Sequence, residues 1–197
     1  MQSVHRGVSV SDITQIRVDH LDVQLHVGVE LRREHFVPVK GGGSNTLGIK
    51  PANAFWTSTW DPIKQSSGWV DWGRGEDYGS VNDKEWQLYT PVGTDPVVLI
   101  HTEHDARWLF RRYSEEPWKL DFAAMIEDGF VGMHMTYEGQ WATRHGIDCS
   151  LYGWDCESTS WFQWCFEDEV IPMCPAKNLI PKRDSWWDDD TDEEGDT

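Results

Sequence analysis

At 197 residues the chain has the length of one domain with a proper hydrophobic core. Its 34 Asp and Glu outnumber its 17 Lys and Arg, a formal charge of −17 that argues against a nucleic-acid backbone or an anionic membrane surface as partner, since both demand a positive face. The sequence holds no run of about 18 apolar residues and its start, MQSVHRGVSVSD, lacks an apolar export segment, so the expectation is a soluble, cytoplasmic protein without a membrane partner.

The first clear element is LDVQLHVGVELR. Leu21, Val23, Leu25, Val27, Val29 and Leu31 alternate with Asp22, Gln24, His26, Gly28, Glu30 and Arg32, which predicts one long strand. His26 stands mid-strand on the polar face, beside Gly28, where a ligand can approach closely. The loop KGGGSNTLGIKPANA is rich in glycine and predicts a mobile connection. AFWTSTW predicts a β-branched, aromatic strand that stops at Asp61-Pro62. Residues 64–95 show little pattern beyond a short strand in EWQLY, with Trp69, Trp72 and Trp86 as anchors. PVVLIH reads as a buried strand. Thr102 then caps a helix through Arg112 whose inward face is Ala106, Leu109, Phe110 and Tyr113.

A second helix is expected over residues 121–128, with Gly129 behind it, and FVGMHMTY returns to strand. In GWDCESTSWFQWCFEDEVIP, DCEST opens a strand, WFQWCF continues it and EDEVIP turns. Strands at both ends with two helices between predict an α+β fold. The globular domain is expected to span residues 1–183. The segment DSWWDDDTDEEGDT, from Asp184 to Thr197, holds eight acids and no base, and reads as a disordered acidic tail. Cys149, Cys156, Cys165 and Cys174 are too widely spaced for a CxxC pair, so reduced thiols and no metal site are expected.

Phosphate-cradling GxxxxGK[ST] and GxGxxG are absent, as are GxSxG and HExxH. Three segments remain: LHVG with His26, FWTSTW with Thr57-Ser58-Thr59, and DCE with Asp155 and Glu157. In that order they resemble the ADP-ribosyltransferase fold family. Its members carry an Arg or His on a first strand, a Ser-Thr-Ser type motif after an aromatic on a second, and a Glu, often in E-x-E, at the start of a later strand. His26, or alternatively Arg17 or Arg32, matches the first. Thr57-Ser58-Thr59 behind Phe55-Trp56 resembles the second, with Thr57 in place of the leading Ser.

Asp155-Cys156-Glu157 resembles the third, and Glu167-Asp168-Glu169 is its rival in the same stretch. Glu157 is preferred because Trp154 precedes it and Ser158-Thr159-Ser160-Trp161 follow, a polar interruption where a strand begins. Glu169 is the alternative. The resemblance implies split antiparallel β-sheets with a few short helices, NAD as substrate, and glycosyl transfer of ADP-ribose to an unidentified protein or nucleic-acid target. Glu157, with Asp155, would be the catalytic acid, while His26, Gly28, Trp56, Thr57, Ser58 and Thr59 would position the nucleotide. Tyr137 or Trp141 could replace Trp56 in stacking on nicotinamide, and residues 40–48 could close as a lid. These residue types suit the chemistry: a carboxylate bonded to ribose stabilises the oxocarbenium-like charge that develops as nicotinamide leaves.

Two further readings stand beside this one. The first is a non-enzymatic acidic interaction or inhibitor protein, plausibly viral and acting in the host cytoplasm, that engages a basic partner in part through the tail at Asp184 to Thr197. The second is a Trp-lined module for a sugar or another small molecule.

Overall fold

Residues 9–41, 48–78, 81–114, 119–146 and 150–173 are described by the structure, a computed structural model. Its strands are β1 (Gln15–Arg17), β2 (Gln24–Val27), β3 (Phe55–Asp61), β4 (Ser66–Ser67), β5 (Trp86–Pro91), β6 (Pro96–Ile100), β7 (Gly132–Met135), β8 (Ser158–Trp161) and β9 (Phe166–Met173). The helices are α1 (Gly68–Gly75), α2 (Glu103–Tyr113), α3 (Phe122–Glu127) and α4 (Tyr137–Thr143). The fold is mixed α+β, with a nine-stranded sheet in the order β1-β6-β7-β8-β3-β2-β5-β9 and β4 alongside β3. All pairings are antiparallel except β6 with β7, which needs a crossover, and α2 and α3 supply it.

β3 joins the two halves of the sheet. Phe55, Trp56 and Thr57 pair with β8, Ser58 and Thr59 pair with β2, and Trp60 and Asp61 pair with β4. β2 therefore leaves β3 after the Leu25–Ser58 pair, while His26 and Val27 continue to pair with β5 through Gln87 and Trp86. The sheet opens at that point.

Three apolar clusters hold the two halves. One packs α2 and α3 on β6 and β7 through Val98, Ile100, Leu109, Phe110, Phe122 and Met133. The second gathers Phe55, Tyr89, Trp161 and Phe166 behind the opening, and the third packs Leu25, Trp60 and Trp86 against Val70 of α1. Burying Trp requires a partner for each indole N–H. Trp86 donates to the Val81 carbonyl, Trp154 to that of Ile49, and Trp161 to Thr57 Oγ1.

The helix after Thr102 forms with a reciprocal cap between Thr102 and Asp105, and Asp121 caps α3, which Gly129 follows at φ 94°. Several expectations are corrected. The alternating run 21–32 is a strand only over Gln24–Val27. Gly28, at φ 152°, turns the chain, the Tyr89 hydroxyl bonds both backbone groups of Leu31, and Val29 is left 84% exposed. Residues 64–95 contain α1, which its glycines disguise; Ser67 caps it by accepting from Val70 N. α4 was also invisible in pattern and starts at the Thr136 cap. WFQWCF is not one strand, because the chain turns after Trp161 and EDEVIP lies inside β9, paired with β5. Glu167, Asp168 and Glu169 are exposed there on a strand at the end of the sheet.

Cys149, Cys174, residues 42–47 of the glycine-rich loop and the acidic segment 184–197 lie outside the described residues. Among the described residues no helix is long and apolar enough to cross a membrane.

The buried Thr57 hydroxyl accepts from Trp161 Nε1 at 2.8 Å and donates to Gln24 Oε1 at 2.7 Å. Thr57→Val keeps the shape and strands both partners, so urea denaturation should show a loss of about 2–4 kcal/mol. Thr57→Ser should lose far less; equal stability of Thr57→Val and wild type would show that the hydroxyl does not hold this core.

Candidate functional site

The TST motif and Glu157 meet in the structure. Glu157 lies immediately before β8, beside β3, with its side chain 14% exposed. Ser58 Oγ donates to Glu157 Oε2 at 2.6 Å, Thr59 Oγ1 donates to Oε1 at 2.8 Å, and Thr59 N donates to Oε2 at 3.0 Å. Trp69 N, in the first turn of α1, donates to Ser58 Oγ at 3.1 Å and so fixes that hydroxyl. Gly68 lets the helix come this close, since a Cβ there would sit 3.0 Å from Glu157 Cβ and 3.1 Å from Oε2.

A second line of donors reaches the same carboxylate from the core. Trp161 Nε1 donates to Thr57, Thr57 to Gln24, Gln24 Nε2 to Thr59 Oγ1 at 3.3 Å, and Thr59 to Glu157. Every proton in this line points toward Glu157, so each bond polarises the next. His134, on β7, completes the surroundings. Its Nδ1 lies 2.8 Å from Thr159 Oγ1 and 3.8 Å from Glu157 Oε1. Burial pushes its pKa below the ordinary 6.5, against the pull of the Glu157 charge.

His26 stands where β2 leaves β3. Its Nδ1 is 2.9 Å from the Trp56 carbonyl and donates to it, taking the place of a strand N–H at the opening. Its ring packs 4.7 Å from Phe55. Burial lowers its pKa, against backbone hydrogen bonds of the ring with Trp56 and Val29 that pull it up. Gly28 is required here, because a Cβ at that position would lie 2.9 Å from His26 Nε2.

Two hollows flank this arrangement. The smaller, about 300 Å³, is lined by His26, Lys50, Trp56, Trp69 and Trp154 among others. Trp56 and Trp154 meet edge to face at 4.8 Å, and Lys50 Nζ sits 5.7 Å over the Trp56 ring. The larger, about 680 Å³, is bounded by α1, α4 and Glu157. Asp155 and Cys156 line both.

Of the residues singled out from sequence, Ser58, Thr59 and Glu157 are in direct contact, while His26, Trp56 and Thr57 line the adjoining smaller hollow. Asp155 points to Arg144, 3.8 Å away. Glu169 is not part of this site, since β3, β2 and β5 separate β9 from β8. Arg17, the last residue of β1, pairs with Asp19 just beyond it, and Arg32 pairs with Glu30. Neither belongs to the opening. Gln24, Gly68 and Trp69 were missed as site residues, while His134 had been readable equally as a core histidine or a site residue. Gln24 had a signal, being two positions from His26 on the same polar face; the others depend on tertiary placement. Cys156 and Cys165 are free, and burial pushes both thiols up to about 12. Among the described residues no three His, Cys, Asp or Glu side chains are grouped to hold a metal.

His26 and His134 have folded pKa values below 6.5, so their stabilisation is complete above pH 6.5. Below that, the unfolded chain takes up protons that the folded chain refuses, and stability falls. Melting temperature should drop from pH 7 to pH 5, and His134→Gln should flatten part of the decline. A melting temperature constant across this window would contradict the burial of both rings.

Compared with known proteins, the chain matches no family model, no curated protein and no solved structure.

Proposed function

We propose that the protein is an ADP-ribosyltransferase-like enzyme that binds NAD across the opening between β2 and β3 and transfers ADP-ribose to a macromolecular acceptor. The observation that carries this reading is the contact of Ser58 and Thr59 with the Glu157 carboxylate, beside a sheet parted at His26. The split-sheet architecture of that family is part of the proposal. At about 300 Å³ the smaller hollow is at the low end of the ~300–1,000 Å³ range of small-ligand sites, enough for the nicotinamide end but not for a whole dinucleotide, and the ribose would reach from it to Glu157 on the wall of the larger hollow. The remainder would extend along the open cleft, with Lys50 as the local counter-charge for the diphosphate.

In the reaction the bond from ribose C1′ to the nicotinamide nitrogen breaks, and its electron pair neutralises the pyridinium. Glu157 accepts a hydrogen bond from a ribose hydroxyl and stabilises the positive charge developing at C1′. The acceptor's lone pair forms the new bond to C1′, and its proton leaves to solvent. Ser58 and Thr59 hold the carboxylate so that it needs no reorganisation. His26 stands at the opening, where its ring can meet a ribose hydroxyl. Trp56 offers a stacking face, and its contact with Trp154 fixes the ring.

The second reading is a non-enzymatic acidic protein that engages a basic partner, and the net charge of −17 favours it. NAD should raise the melting temperature and quench Trp fluorescence if the enzymatic reading holds. Glu157→Gln should then lower nicotinamide release at least 100-fold with the circular dichroism spectrum retained, while Glu169→Gln should leave the rate unchanged. No response to millimolar NAD, with capture of a basic partner that disappears on deletion of residues 184–197, would establish the second reading instead.

A further inference from the structure

The larger hollow has a chemistry that NAD does not explain. Of the described Trp side chains only Trp141 is exposed, at 63%, and Tyr137 beside it on α4 is 61% exposed. Their rings lie 6.3 Å apart, edge to face, and Trp72 of α1 lines the same space. Water is an unfavourable surrounding for two adjacent large aromatic faces, and their negative π-surfaces attract cations.

The charges around them complete the pattern. Among the described residues five carboxylates line the hollow against two bases, Lys64 and Arg144. Lys64 is taken by Asp61 at 3.2 Å, and Arg144 by Asp155 at 3.8 Å and by the ring of Tyr152. Glu157 is held by Ser58 and Thr59, whereas Asp71, which accepts from the Ser66 hydroxyl, and Glu76 have no Lys or Arg partner among the described residues. The site thus combines aromatic faces, excess negative charge and a volume of about 680 Å³, which admits one long side chain with its flanking backbone.

We infer that the hollow between α1 and α4 is a docking site for a guanidinium or ammonium side chain carried by a basic protein segment. The cation lies over Trp141 and Tyr137 with Asp71 and Glu76 as counter-charges, and the aliphatic stem packs on Trp72. This inference is independent of NAD binding. It holds for an enzyme or for a non-enzymatic partner protein, and it gives a basic partner a place within the folded domain.

The test is a fluorescence and calorimetric titration of the full chain, without NAD, using an arginine-containing pentapeptide. Its citrulline counterpart, a neutral isostere, and free arginine amide serve as comparisons. The arginine peptide should bind at least tenfold tighter than the citrulline peptide, weaken with added salt, and lose at least fivefold in affinity with Trp141→Ala. Since Trp141 is exposed, that variant should fold normally, and Tyr137→Ala should show the same trend. Arginine amide binding as tightly as the peptide would overturn the protein-segment source in favour of a small free cation. Equal affinity for citrulline, no effect of Trp141→Ala, or no binding at millimolar peptide would overturn the site altogether.

Discussion

The structure depends on one arrangement, the convergence of donors on the Glu157 carboxylate. Ser58 Oγ, Thr59 Oγ1 and Thr59 N all aim at it, and the two hydroxyls are themselves supplied from α1 and from Gln24. A carboxylate so little exposed is costly unless fully bonded, and a half-satisfied network is worse than an apolar core. This requirement explains why β3 spends its middle on Thr57-Ser58-Thr59 rather than on aliphatic residues. It also explains why Gln24, at 0% exposure, survives in the core: its two amide ends tie Thr57 to Thr59.

The same arrangement shapes the sheet. β2 pairs with β3 only where Gln24 and Leu25 face Thr59 and Ser58, and then diverges. His26 seals the parted edge with a side-chain bond to the Trp56 carbonyl, so the opening leaves that backbone group satisfied. The cleft is therefore part of how the strands meet. α1 closes one side, its first turn resting on Ser58 and Glu157 through Trp69 and Gly68. Two hollows of different character result. One is lined by indoles and a lysine, and the other by exposed aromatics and carboxylates.

How much of this could be read from the sequence follows from the range of each interaction. Local signals gave the buried strand at Pro96–Ile100 and the helix capped by Thr102, because capping and apolar periodicity act within a few residues. The pairing of Ser58 and Thr59 with Glu157 was legible as a resemblance in motif order, about 98 residues apart in sequence. Alternation misled where tertiary contacts cut a strand short: the Tyr89 hydroxyl captures Leu31 and ends the regularity of the 21–32 run. The aromatic run WFQWCF hid a turn because both of its halves bury aromatics in one cluster, with Trp161 and Phe166 rings 4.6 Å apart. α1 was hidden by its own glycines. One of them, Gly68, is needed for contact with Glu157, so the residue that made the helix unreadable also builds the site.

The most direct test separates the donor line from any contact with substrate. Gln24 is buried in the line that ends on Glu157 and lines neither hollow, so Gln24→Leu removes the support of Thr57 and Thr59 without reaching the cleft proposed for NAD. Single-turnover nicotinamide release should fall at least tenfold in this variant while the Kd for NAD, measured by Trp fluorescence, stays within about twofold of wild type. A release rate unchanged by Gln24→Leu in a folded protein, or no release from the wild type at saturating NAD, would contradict Glu157 as the positioned acid of this site.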